Sequence, residues 1–252
     1  MRARLVAMGL VLGLAATALA GCGSNPVETL PACTSGQVSL DLEQAANAAT
    51  IAAVGKRVGM PNHAVTVALA TAFQESKLYN LDYGDRDSLG LFQQRPSQGW
   101  GSAAQVRDPV YAARAFYTHL RRVPGWRTLP VTVAAQRVQR SGAPEAYAQW
   151  EDASRQLARA LTGELPAALA CQYKPAPRPS GGLLVQQRAT VELGPGGLGR
   201  TASTAQTWAT ASWLVAHAST YGLSTVSVAG RTWTAKRGSW LRNPRASALV
   251  WS

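Results

Sequence analysis

Gln74-Glu75-Ser76, followed fifteen positions beyond Glu75 by Gly90-Leu91-Phe92-Gln93-Gln94-Arg95-Pro96, is the stretch on which the reading of this chain turns. Ahead of it Val65, Leu69, Ala72, Phe73 and Ser76 recur at three- and four-residue steps, the period of a helix with a buried face. No Asp, Glu, Lys or Arg occurs from Pro61 to Gln74. Glu75 is thus a lone carboxylate at the end of an apolar helix, before a polar loop at Gly84–Ser88 and a second apolar turn at Leu91-Phe92. A desolvated, unpaired carboxylate is costly. Either it lines a cleft, as a proton donor must, or it reaches water from the helix end.

Outward from this helix the signals stay helical. Asp41 can cap a helix running from Leu42 to about Val58, Gly59-Met60-Pro61 punctuates the chain, and Asn62 can cap the Glu75 helix. Asp108-Pro109 supplies a cap and a first-turn proline to a helix with Tyr111, Ala112, Ala115, Phe116 and Leu120 on its apolar face. Thr132–Gln139 and Pro144–Thr162 read as two more helices, the second stopped by Gly163. No period-two run precedes residue 183, so residues 41–171 are expected to form an all-α core domain. A Pro-rich linker at 172–182 follows. Residues 183–252 then read as a small α+β module. A strand is expected at Leu183–Val191, a helix at Thr204–Ser219, a hairpin at Ser224–Val228 and Arg231–Thr234 around Ala229-Gly230, and a last strand at Ala248–Trp251.

The N-terminus reads as an address. Arg2 and Arg4 precede an apolar run, Leu5 to Ala20, too short to span a bilayer comfortably, so residues 1–21 are expected to be a leader. Leu19-Ala20-Gly21-Cys22 resembles a bacterial lipobox, which implies cleavage before Cys22 and acylation of that cysteine. The alternative is an ordinary secretory signal with an incidental cysteine. Two or more acyl chains suffice for stable anchoring, so an extracytoplasmic protein is expected, lipid-anchored to the outer face of the membrane, with residues 22–40 as a tether. Cys33 and Cys171 remain as an even pair in an oxidising compartment and are expected to bridge the ends of the core domain; two free thiols are the alternative.

Net charge is +12, unevenly spread: residues 41–171 hold 14 Lys/Arg against 11 Asp/Glu, residues 172–252 hold 9 against 1. In an exported protein a cationic module fits anionic wall polymers or lipid headgroups better than nucleic acid, unless it merely solubilises. Trp208, Trp213, Trp233 and Trp240 could stack on sugars, but their spacing fits the core of a small domain better, with Trp240 the most exposed. His63, His119 and His217 stand apart from other ligand-type residues, and no metal or cofactor is expected.

Glu75-Ser76, Gly90-Leu91-Phe92-Gln93 and Pro96 together resemble the Glu-Ser … Gly-Leu-Met-Gln-x-x-Pro signature of the lytic transglycosylases, in the lysozyme-like superfamily, with Phe92 in place of Met. Asp108-Pro109 and its helix are similar to a downstream segment of that family, and the resemblance covers about residues 60–160. It implies a lysozyme-like fold for the core and peptidoglycan as substrate. It also implies cleavage between N-acetylmuramic acid and N-acetylglucosamine by Glu75 as acid and then base, with Ser76, Gln93 and Gln139 orienting the acid or the sugar. In that chemistry the muramic acid's own 6-hydroxyl attacks, so no second carboxylate is needed. In a hydrolase that inverts, one of Asp82, Asp85 and Asp87 would have to activate water; as turn-forming residues they need no such role. The family's Tyr-bearing segment corresponds to Ala134–Gly142 here, which holds no Tyr, so Gln139, or Gln136, would contact substrate instead. The missing phenol leaves an alternative: an inactive wall-binding or scaffold lipoprotein.

Overall fold

Asp41 accepts from the backbone amide of Gln44 while the Gln44 side chain returns to the Asp41 amide, a capping box that starts α1 (Leu42–Arg57) where the sequence places it. The computed structural model describes residues 32–175, 181–199 and 203–252. The leader at 1–21, the acylation candidate Cys22, the first part of the tether and the middle of the Pro-rich linker lie outside the described residues.

Helix α2 (Asn62–Ser76) carries Glu75 on its last turn. Its N-cap is Pro61 rather than Asn62, whose side chain instead joins Lys56 and Glu164. A short α3 (Ala103–Val106) leads to α4 (Pro109–Leu120), capped by Asp108 as expected, and to α5 (Val131–Gln139). The expected helix at Pro144–Thr162 is divided: Pro144–Tyr147 turns, Ala148–Trp150 is one 3₁₀ turn, and only Glu151–Leu161 is α-helical (α6). The division has a cause. The Trp150 indole donates to Gln74 at 2.8 Å and stacks on Phe73 at 5.1 Å, with the Lys77 ammonium 4.2 Å from its ring centre. These contacts pull residues 147–150 onto the end of α2.

The core is not wholly helical. β1 (Ala32–Ser35) pairs antiparallel with β2 (Val38–Leu40) on one side and β3 (Ala170–Gln172) on the other. Cys33 faces Cys171 across β1 and β3, and the two form a disulfide. Residues 32–40 are therefore strand rather than tether. They pair only with each other and with residues far along the chain, a partnership without a local signal.

Beyond the linker, Leu183–Val191 is not a strand: it lies within helix α7 (Gly182–Glu192), whose buried residues Val185, Ala189 and Glu192 fall at helical steps. α8 (Thr204–Tyr221) and the four-stranded sheet β6–β5–β4–β7 follow, with β4 (Thr225–Val228), β5 (Arg231–Thr234), β6 (Ser239–Arg242) and β7 (Val250–Trp251). Trp208, Trp213 and Trp233 are buried in the core, while Trp240 is half-buried and donates to the Leu169 carbonyl at 2.8 Å. The molecule is thus a helical body with a small β-sheet module, but one apolar core runs through both. α1 is buried on every face because α2 and α4 cover one side and α8 another.

At that joint lies Glu192, the single acid of the basic tail, with none of its surface exposed. Its carboxylate accepts from Trp213 Nε1 at 2.7 Å and Thr50 Oγ1 at 2.9 Å and pairs with Arg188. His217 Nε2 stands 3.8 Å away; burial lowers its pKa, against the raising influence of Glu192. A buried carboxylate satisfied from three elements stitches α7 and α8 to α1. Among the described residues no helix is long and apolar enough to cross a membrane.

Candidate functional site

Helix α2 ends in a left-handed turn: Lys77 and Leu78 both have positive φ, and the Lys77 and Leu78 amides close on Phe73 and Ala72. Glu75 sits half-buried in the last turn before it. Its Oε1 accepts a hydrogen bond at 2.7 Å from the hydroxyl of Tyr147, a side chain with no exposed surface. Burial, with the Glu75 charge beside it, pushes the Tyr147 phenol well above its ordinary value. The phenol is therefore a neutral donor throughout the accessible pH range.

Tyr147 is the partner of Glu75 that sequence reasoning missed. Residues 134–142 contain no Tyr, as the sequence states, yet the phenol expected there arrives from further along the chain. The available signal was weak: an aromatic after Pro144, inside what looked like continuous helix.

Ser76 faces inward. Its hydroxyl meets the Ala72 carbonyl at 3.0 Å and the Leu91 carbonyl at 2.8 Å, tying α2 to the Gly90–Gln93 loop. Gly90 is required there: its φ is +75°, and a β-carbon would lie 2.2 Å from the Val106 carbonyl oxygen. Gln93 also has positive φ and donates to the Tyr83 and Gly90 carbonyls, at 3.3 and 3.2 Å. Gln139, at the end of α5, donates to the Phe92 carbonyl at 2.8 Å. Gln136 is turned away to Ser141. Ser76, Gln93 and Gln139 therefore converge on one loop and hold its backbone. Gln139 also lines a polar cavity of about 660 Å³, whose lining residues do not include Glu75.

The acidic loop divides by role. Asp87 accepts from Arg95 Nε at 2.8 Å, from the Ser97 amide at 2.7 Å and from its hydroxyl at 2.9 Å. Arg95 first, then Ser97, holds the Asp87 carboxyl far below the usual range. This clasp closes the base of the segment that presents Gly90–Gln93 and commits both Asp87 oxygens to Arg95 and Ser97. Asp85 is almost fully exposed, with Arg86 at 3.9 Å.

A pH dependence follows from the clasp. The unfolded chain binds a proton at Asp87 near pH 4, the folded chain only at lower pH, so the clasp's stabilisation is complete above about pH 5 and declines as pH falls through 4 and below. Asp87→Asn should melt lower than the parent at pH 7, and thermal scans should find the gap closing toward pH 2. A gap independent of pH would show that the charge is not what matters.

No family model matches the chain, and no curated protein matches it.

Proposed function

We propose that this chain cleaves the glycan strand of peptidoglycan between N-acetylmuramic acid and N-acetylglucosamine, and that its helical body is lysozyme-like. The observation that carries the reading is the Tyr147–Glu75 hydrogen bond on a half-buried carboxylate beside the Ser76-tethered loop. With Oε1 held by the phenol, Oε2 is left for the leaving oxygen. Glu75 protonates that oxygen as the bond to the anomeric carbon breaks. The muramic acid 6-hydroxyl then attacks the same carbon and gives its proton to Glu75, which leaves an anhydro ring and regenerates the acid. Asp87 is committed to Arg95 and Ser97, in keeping with a route that needs no second carboxylate. The leader and Cys22 complete the proposal: an extracytoplasmic enzyme lipid-anchored to the outer face of the cell membrane. An inactive scaffold had two grounds, a missing phenol and the basic tail; Tyr147 supplies a phenol, and the basic tail fits either reading.

The test is mass spectrometry of purified wall incubated with the protein. Anhydromuramic ends support the proposal; reducing ends would replace it with hydrolysis, and no fragments would leave only binding. Tyr147→Phe keeps the buried ring and removes one hydrogen bond to a charged group, an interaction of about 1.5–3 kcal/mol. Turnover should fall roughly 10- to 100-fold with KM little changed. Unchanged turnover would remove Tyr147 from the mechanism.

A further inference from the structure

The polar cavity of about 660 Å³ beside Gln139 has no part in the proton transfer, yet its walls are chemically specific. Arg122, Arg137 and Arg140 line it, together with His119 and Trp100, and its lining contains no Asp or Glu. Arg137 Nη1 donates to the Pro124 carbonyl on the cavity's own wall at 3.3 Å. Among the described residues the guanidinium groups of Arg122 and Arg140 meet no carboxylate; the acids that form ion pairs are Asp85, Asp87, Glu151, Glu164 and Glu192, and each takes another arginine or His217.

The carbonyl ends of α4 and α5 favour cations just where Arg122 and Arg140 stand. Helix ends explain why positive charge is tolerated there, but not why three arginines line one cavity with a Trp–His pair. The Trp100 and His119 rings lie 4.0 Å apart, centre to centre. Trp100 is held by Gly101, whose φ is +135° and whose β-carbon would meet the Tyr111 hydroxyl at 2.7 Å. His119 Nδ1 is bonded to the Ala115 carbonyl, and the buried Gln139 Oε1 has no partner although the amide nitrogen is fixed on Phe92. The cavity therefore offers fork-shaped donors suited to bidentate carboxylate binding and an aromatic surface beside them.

We infer that this cavity binds the carboxylates of the short acidic peptides carried by the glycan strand, so that the protein selects peptide-bearing over bare strands. The inference rests on the peptidoglycan reading above and names the part of that substrate which the cavity takes. Gln139 links the two regions, lining the cavity while holding the loop that Ser76 ties to the Glu75 helix.

Binding can be separated from turnover by using the full chain with Glu75→Gln and two soluble probes: strands bearing peptide stems, and the same strands stripped of peptide by an amidase. Calorimetry at low salt should give a Kd at least about tenfold tighter for the stem-bearing strands, and the preference should shrink as salt screens the charges. Adding Arg122→Gln and Arg140→Gln should bring both strands to the affinity of the stripped one, while Lys at both positions restores part of the difference. The melting temperature, read in parallel, should fall only by the small amount that two helix-end cations contribute, since neither guanidinium has an acidic partner to lose. Equal affinity for the two strands, or a preference untouched by the double Gln variant, would overturn the inference. So would tighter binding to a phosphate-bearing wall polymer than to either strand. If the unmodified protein released no wall fragments while the preference held, the cleavage reading alone would fall; fragments without preference would sink only this one.

Discussion

Glu75→Gln should reduce the release of anhydromuropeptides from purified wall by 10²- to 10⁴-fold, the range expected when a positioned acid is removed. In barrier height that is about 3–5 kcal/mol. The substitution is nearly isosteric, and the Tyr147 hydroxyl, which donates to Oε1 at 2.7 Å, can donate equally to a glutamine carbonyl. Folding is therefore expected to survive, with a melting temperature close to that of the parent. What disappears is the exchangeable proton for the leaving oxygen and the carboxylate that accepts it back. Binding to insoluble wall should persist, because the side chains that hold the Gly90–Gln93 loop are untouched. Turnover within tenfold of the parent would remove Glu75 as the acid. Loss of both binding and fold would indicate a structural role instead.

The second large effect concerns stability. Cys33 and Cys171 are fully buried and stand opposite each other on β1 and β3, closing a loop of 138 residues that contains α1 to α6. In the chain-entropy picture, opening a loop of that length releases enough freedom in the unfolded chain to cost about 4–5 kcal/mol. That is a large fraction of the stability of a typical domain. Cys33→Ala combined with Cys171→Ala should lower the denaturation free energy by about this amount in urea titrations, and a reducing agent should lower the parent to the same level. A change below about 1 kcal/mol would mean that the strand pairing of β1 with β2 and β3 fixes the ends without the covalent link.

Much of the helical body is legible in the chain because its signals are local. Asp41, Asp108 and Pro109 announce α1 and α4 within a single turn, and the uncharged run from Pro61 to Gln74 locates α2. The first sheet is not legible. Its strands are three or four residues long, and the β1–β3 pairing joins positions 138 apart, so no alternation accumulates within either segment. Leu183–Val191 misleads in another way. Leu183 and Leu184 are exposed, and the apolar run they begin looks like a strand until burial at Val185, Ala189 and Glu192 reveals helical steps.

The candidate site divides along the same line. Glu75 could be picked out as a lone carboxylate ending an uncharged helix, and Ser76 and the Gly90–Gln93 loop through the resemblance to the transglycosylase signature. Tyr147 could not, because it comes to Glu75 only through a break in helical continuity. That break is made by tertiary contacts of Trp150 with Gln74 and Phe73. The role of Asp87 was hidden too, since its partners Arg95 and Ser97 lie across a folded loop.

The central position of β1 has a mechanical meaning. Tension applied to the chain ahead of Ala32 would load a strand of four residues, whose backbone bonds to β2 and β3 could otherwise be unzipped one by one. Peeling would stop at the second residue, where a covalent bond hands the load to Cys171. A pull on the chain ahead of Ala32 would therefore reach Cys171 before it reached α1.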